Sequence, residues 1–200
     1  MVMQCRTVLF LLLVSTFLSG CAKQVDELGY EYLLIDTTSS QRDRKDTKPV
    51  PVQLMPIDVA NYLTGNEIVL VSKTGEVHRS QVNLWAEPLS PQLTRLTQQR
   101  MEKNLPQITW FVKQRLPSYA IAQLSIEVDR FFADLNGLVH ITGRWQLVSP
   151  EGTLIASQAF DVEDALKKDG YAALTQTLAT NWLDKVVETI IQEMANVYKK

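Results

Sequence analysis

Two hundred residues, 46% of them hydrophobic and 21% charged, suffice for one well-filled core and one domain. Twenty Lys and Arg stand against 22 Asp and Glu. No basic excess points to nucleic acid, and there is no acidic tail.

The chain opens with an apolar run, Val8 to Leu18, behind the positive charge of Arg6. A bilayer-spanning helix needs roughly 20 apolar residues, and this run is about half that. A positive flank, a short apolar core and then small residues are the layout of a secretory signal. The alternative, a buried core helix, sits poorly with a run that has no polar face and lies at the extreme N-terminus. Leu18-Ser19-Gly20-Cys21 resembles a bacterial lipobox. That resemblance implies a diacylglyceryl group on the Cys21 thiol, cleavage before Cys21 and acylation of the new amino group. Residues 1–20 are then a signal peptide, 21–29 a lipidated N-terminus with its spacer, and 30–200 the domain. Each buried CH₂ contributes about 0.8 kcal/mol, so several chains on one cysteine hold a protein on a membrane where one chain does so only marginally. Ala22 follows the lipidated cysteine. An Asp there resembles the inner-membrane retention signal of enterobacterial lipoproteins, so Ala22 fits sorting to the outer membrane.

Cys5 leaves with the signal, which excludes an intramolecular disulfide in the processed chain. A closed structural zinc site is excluded as well, because only His78 and His140 would remain beside Cys21. Each histidine stands alone in a strand-like context and reads as structural.

Tyr30 to Ile35 reads as a first strand, Ser39 to Lys48 as a charged loop, and Val50 to Ile57 as a strand near a sheet edge because of its prolines. Asp58 is placed to cap a single helical turn through Leu63, ended by Gly65. Glu67–Ser72 and Glu76–Val82 form a hairpin over Lys73-Thr74-Gly75. Ser90, with Pro91 after it, predicts a helix cap, and the helix runs to about Asn104. Trp85, between a strand and this helix start, is read as a packing or interface anchor. Thr109–Val112 is a short strand. Gln123–Phe132, Leu138–Val148 and Thr153–Val162 form an antiparallel meander over two good turn sequences. A long helix follows Asp169-Gly170, with Leu174, Leu178, Trp182, Val186, Ile190, Met194 and Tyr198 at every fourth position. This stripe predicts a helix lying across the sheet; the alternative is that part of it meets a partner subunit. The expected fold is a single α/β domain, a mixed, largely antiparallel sheet packed against two main helices.

No GxSxG, Walker-type loop, HExxH or GxGxxG occurs. Glu163-Asp164 lies in a polar segment, and Asp129 and Asp134 flank Phe131-Phe132 as turn or surface residues. No catalytic residue, metal ligand or cofactor is assigned, and the chain is not expected to be an enzyme.

Four stretches carry a resemblance: "ANYLTGNEIV" (60–69), "VNLWAEPLSPQL" (82–93), "ITGRWQL" (141–147) and "DGYAALTQTLATNWLDKVVETIIQEM" (169–194). In this order, after Tyr30-Glu31-Tyr32-Leu33, the chain resembles the ABC-type transport auxiliary lipoproteins. Residues 39–48 and 113–123 lie outside the resemblance. The motif residues it marks, for packing or for an interface, are Tyr62, Leu63, Asn83, Leu84, Trp85, Pro88, Leu89, Trp145, Gly170, Tyr171 and Trp182. The resemblance implies a periplasm-facing lipoprotein anchored in the outer membrane that serves an MCE-type lipid transport system. Its partner would be an MCE-domain protein forming a tube across the periplasm and, through that tube, a subunit in the inner membrane. It also implies a ring-shaped homo-oligomer. Two alternatives stay open: a lipoprotein binding module of another envelope machine (peptidoglycan synthesis or secretion), and a lipoprotein enzyme.

Overall fold

The computed structural model describes residues 29–38, 49–112 and 120–199. The signal, Cys21, Ala22 and the 39–48 loop lie outside the described residues. Among the described residues nine strands form one sheet: β1 (Tyr30–Tyr32), β2 (Val50–Leu54), β3 (Asp58–Val59), β4 (Glu67–Val71), β5 (Val77–Trp85), β6 (Ile108–Phe111), β7 (Ala122–Asp134), β8 (Leu138–Val148) and β9 (Leu154–Ala165). Helix α1 (Leu89–Asn104) follows β5. The C-terminal helix comprises α2 (Tyr171–Asn181), a π-helical stretch (Trp182–Val187) and α3 (Glu188–Val197).

Strand β7 is the spine. On one side it pairs antiparallel with β8, which pairs with β9. On the other side β2, β3 and β4 pair with it one after another, all parallel. β6 extends β2 at one end, and β5 with β1 extends β4 at the other. The sheet is mixed: its two longest ladders, β7–β8 and β8–β9, and the β4–β5 hairpin are antiparallel, and the remaining pairings are parallel.

Alternation puts Leu124, Ile126 and Val128 on the covered face of β7, with Val139, Ile141, Trp145 and Leu147 beside them on β8. A bulge between Val128 and Arg130 then switches the parity, so that Phe131 and Ala133 continue the buried row. Both helices cover this face. The stripe from Leu174 to Met194, with Leu183, Val187 and Ile191, is buried in the single core. Tyr198, the last residue of the stripe, is half-buried at its end.

Four local expectations are corrected. Tyr30–Ile35 is a strand only to Tyr32, after which the chain leaves the sheet edge and crosses to α1. Strand β2 ends at Leu54 rather than Ile57, and it lies one strand in from the edge, between β6 and β7. Pro51 is tolerated there because Val50 N–H already points to Gln107 O on the β6 side, so Pro51 nitrogen faces the other side, where the β7 ladder begins only at Val52. Asp58 belongs to β3 rather than capping a helix; a 3₁₀ turn spans Asn61–Leu63 after Ala60, with no side-chain cap. Ser90 lies inside α1, where Pro88 takes the cap position, and its hydroxyl donates to Ile57 O. Ser90 and Thr94, which accepts from Ile57 N–H, thus pin the helix to the chain leaving β2.

The π-helical stretch closes with Glu188 N–H on Leu183 O. A stripe at every fourth position drifts by about 40° per step around a helix of 3.6 residues per turn. The wider turn pulls the stripe back over the sheet, with Trp182, Leu183, Val186 and Val187 all buried.

Candidate functional site

Most of the motif residues form the frame of the domain. Trp85 is 4% exposed at the end of β5, its ring 6.4 Å from Phe131. Phe131 lies 6.2 Å from Trp182, and Trp182 5.9 Å from Phe160. This aromatic row crosses the sheet beneath the C-terminal helix. The Trp182 indole N–H donates to Thr97 Oγ1 at 3.0 Å, locking the two helices together. Leu63, Leu89 and Trp145 are buried in the same core. Leu84 is half-buried and pairs with Glu31 and Glu67. Asn83 Oδ1 accepts from the Tyr32 hydroxyl at 3.2 Å and so fastens β1. Gly170, at φ +103, gives the chain a conformation that suits glycine at the start of α2; Tyr171 is half-buried beside it. Leu63, Trp85, Leu89, Trp145 and Trp182 pack in the core, whereas Pro88 is exposed and Tyr62 and Tyr171 reach the surface.

The segment leading in from the N-terminus is strapped onto the helices. Leu34 N–H donates to Gln92 Oε1 at 2.9 Å. Asp36 receives two hydrogen bonds from Arg100, both 2.9 Å, and Arg100 donates to Asp184 at 3.0 Å. Burial alone would raise the Asp36 pKa, but hydrogen bonds from Arg100 and Thr38 and the guanidinium charge outweigh it and hold the carboxyl well below the usual range. The Arg100 pKa, which burial would lower, is raised by its hydrogen bonds to Asp36 and Asp184. The sequence reading missed this network, because its members are 64 and 84 residues apart.

Two surface features remain. Among the described residues β9 pairs only with β8, which leaves one whole edge of a 12-residue strand open. Leu154 and Ile155 are exposed at its start. An open edge offers a row of backbone donors and acceptors to another strand.

The second feature is a cleft of about 660 Å³ between the β4–β5 hairpin and the uncovered face of β7 and β8, lined by Tyr62, Arg130, Phe132 and His140 among others. The Tyr62 hydroxyl donates to Asp129 O at 2.7 Å; burial, aided by Asp129 and opposed by Arg130, pushes its pKa up to about 12. Among the described residues no group of three His, Cys, Asp or Glu side chains gathers to hold a metal. None of the described helices is long and apolar enough to cross a membrane.

Comparison with known proteins adds a family. Residues 32–190 match the model of the ABC-type transport auxiliary lipoprotein component. The intermembrane transport lipoprotein PqiC of Escherichia coli (strain K12) is 25% identical over 183 residues, 91% of this chain and 94% of that protein. A crystal structure of an uncharacterized protein is similar at 28% identity and a TM-score of 0.69, covering 83% of this chain and 98% of the other. A protein from Xanthomonas campestris has the same fold, with 17% identity and a TM-score of 0.61 over 83% of this chain and 91% of the other.

Proposed function

The chain belongs to the ABC-type transport auxiliary lipoprotein family, and from that premise we propose that it is a non-catalytic lipoprotein subunit of a PqiC-type lipid transport system. In this reading Cys21 carries the lipid anchor and Ala22 directs the protein to the periplasmic face of the outer membrane. The folded domain, as a ring of copies, docks the outer end of the tube made by a PqiB-like MCE-domain protein and so supports envelope integrity. The observation that carries the reading is the end-to-end match to PqiC, which spans 94% of that protein. The fold is compatible with it. The helix stripes are used inside the core, and the open β9 edge with Leu154 and Ile155 is a surface on which a neighbouring copy could close a ring.

Affinity purification of the full-length lipoprotein from crosslinked envelopes tests the reading. The expected result is co-purification of an MCE-domain protein. Recovery of a peptidoglycan-synthesis or secretion complex instead would favour a binding module of another envelope machine. A domain beginning at Lys23 that stays strictly monomeric by light scattering, with no change on adding the MCE protein, would defeat both the ring and the docking role.

A further inference from the structure

We propose that the cleft under the β4–β5 hairpin binds an anionic amphiphile: a single acyl chain ending in a phosphate ester or a carboxylate. The cleft lies on the face of the sheet that the helices leave open. Elsewhere that face is polar, with Gln123 exposed and Glu127 paired to Arg144 at 3.4 Å. At this end it changes character. Phe132 and Leu138 from the sheet, Val71 and Val77 from the hairpin, and the Tyr62 ring above them make an apolar trough. Phe132 packs edge-on to Tyr62 at 6.4 Å and against His140 at 5.5 Å, so the floor is built and held. Its volume lies within the roughly 300–1,000 Å³ of small-molecule sites.

Two cations line the trough, and the hairpin's own carboxylate, Glu76, is held by the Ser72 and Thr74 hydroxyls at 3.3 and 3.4 Å. The cations are Arg130 and Lys73, and neither has an ion-pair partner among the described residues. The one carboxylate in the lining, Asp134, is turned away into the β7–β8 turn. Its Oδ1 accepts from the backbone N–H groups of Asn136 and Leu138 at 2.8 and 2.9 Å, and its Oδ2 accepts from the Asn136 amide at 3.1 Å. Glu163 lies 3.1 Å from His140 Nδ1, yet that buried nitrogen makes no aligned hydrogen bond. The Tyr62 hydroxyl is already committed to Asp129 O. What the cleft offers a ligand is therefore an apolar bed with two unpaired cations beside it. An arginine fork matches the paired oxygens of a phosphate or carboxylate, while the trough takes the chain. This inference is independent of the docking role, since it concerns a different surface and a small ligand.

Photolabelling tests it, with the full-length lipoprotein in phosphatidylcholine nanodiscs and a monoalkyl phosphate carrying a diazirine in its chain. The expected labels fall on the cleft lining, at Val71–Val77 and Leu138–His140. Octyl phosphate or octanoate should protect these positions, and whichever protects better identifies the head group. Octanol and inorganic phosphate at the same concentration should not protect. The double variant Lys73→Gln/Arg130→Gln should lose at least about fivefold of the labelling, whereas Arg144→Gln, on the same face outside the cleft, should retain it. Labelling spread evenly over the surface, an unaffected double variant, or protection by inorganic phosphate equal to that by octyl phosphate would each overturn the proposal. Labelling that emerges only when copies of the chain are dissociated would assign the cleft to a subunit contact and overturn it too. Capture of the MCE protein by the double variant should be unchanged, so failure here is distinguishable from failure of the docking role.

Discussion

Arg100→Ala should cost the domain about 3–4 kcal/mol at neutral pH. The side chains of Arg100 and Asp36 are each 6% exposed, and their two hydrogen bonds are both 2.9 Å. Removing one partner of such a pair leaves a buried charge and costs about 3–5 kcal/mol. Two structural details place the figure toward the lower end. Thr38 still donates to Asp36 through its N–H and hydroxyl at 2.9 and 2.6 Å, and Lys103 Nζ lies 3.9 Å away. The second partner, Asp184, is 46% exposed, so its contact adds less than about 1 kcal/mol. Replacing both charges together, Arg100→Met with Asp36→Leu, should recover most of the loss, because an apolar pair carries no desolvation cost. The pH dependence has a definite sign. The Asp36 pKa is depressed in the folded protein relative to about 3.9 in the unfolded chain. Its contribution is therefore complete above about pH 5 and is lost as the pH falls toward the folded value. In Arg100→Ala the carboxyl keeps its burial without the guanidinium, and this part of the acid sensitivity should shrink or reverse. Urea unfolding followed by tryptophan fluorescence, at pH 7 and at steps below pH 5, measures both effects. A cost under about 1 kcal/mol at pH 7 with an unchanged acid slope would show that solvent reaches the pair and that the N-terminal strap is not tied there.

Trp85→Ala should cost about 3–5 kcal/mol in the same assay, as expected for an aromatic ring lost from a core. A small cost joined to lost partner binding would make it an interface residue instead. Gly143→Ala should destabilise by about 1–3 kcal/mol, because an added Cβ would collide with Glu127 O and come within 2.6 Å of the Phe160 ring; a neutral effect on thermal unfolding would contradict the close approach. Cys21→Ser should abolish palmitate labelling and leave an unprocessed or unanchored chain, and persistent labelling would refute Cys21 as the lipidated residue. Ala22→Asp should move the protein from the outer- to the inner-membrane fraction; native protein already in the inner fraction would refute the sorting assignment.

The elements that a sequence shows best are those whose side-chain pattern has one period. The meander was legible because β8 alternates along its whole length, β7 does so up to its bulge and clear turn sequences separate the strands, and the C-terminal helix because its stripe persists for six turns. The errors fall where tertiary contacts displace local preference. Asp58 and Ser90 are good caps in isolation, but β3 pairs with β7 and Ser90 is drawn to Ile57 O. Two irregularities left a trace in the pattern. The parity change from Val128 to Phe131 marks the bulge, and a stripe at strict intervals of four marks the π-helical stretch.

The surface was less legible, for a physical reason. Tyr62, Lys73, Arg130 and His140 come from a 3₁₀ turn, a hairpin tip and two neighbouring strands, and only the pairing of β4 with β7 brings them to one cleft. No local period links them. The same pairing explains how the helix stripes are filled from within the domain. A stripe as long as that of α2 and α3 invites an interface reading only if the sheet beneath is too small to use it. Here β7 and β8, with short strands added on the far side, give a face wide enough for both helices. Among the described residues the large apolar side chains that stay exposed are Tyr30, Leu33, Ile35, Val77, Leu135, Leu154 and Ile155. Among the described residues, open backbone edges and exposed apolar side chains coincide at two edges of the sheet, at β9 with Leu154 and Ile155 and at β1 with Tyr30, and the proposed ring contact uses the longer of the two.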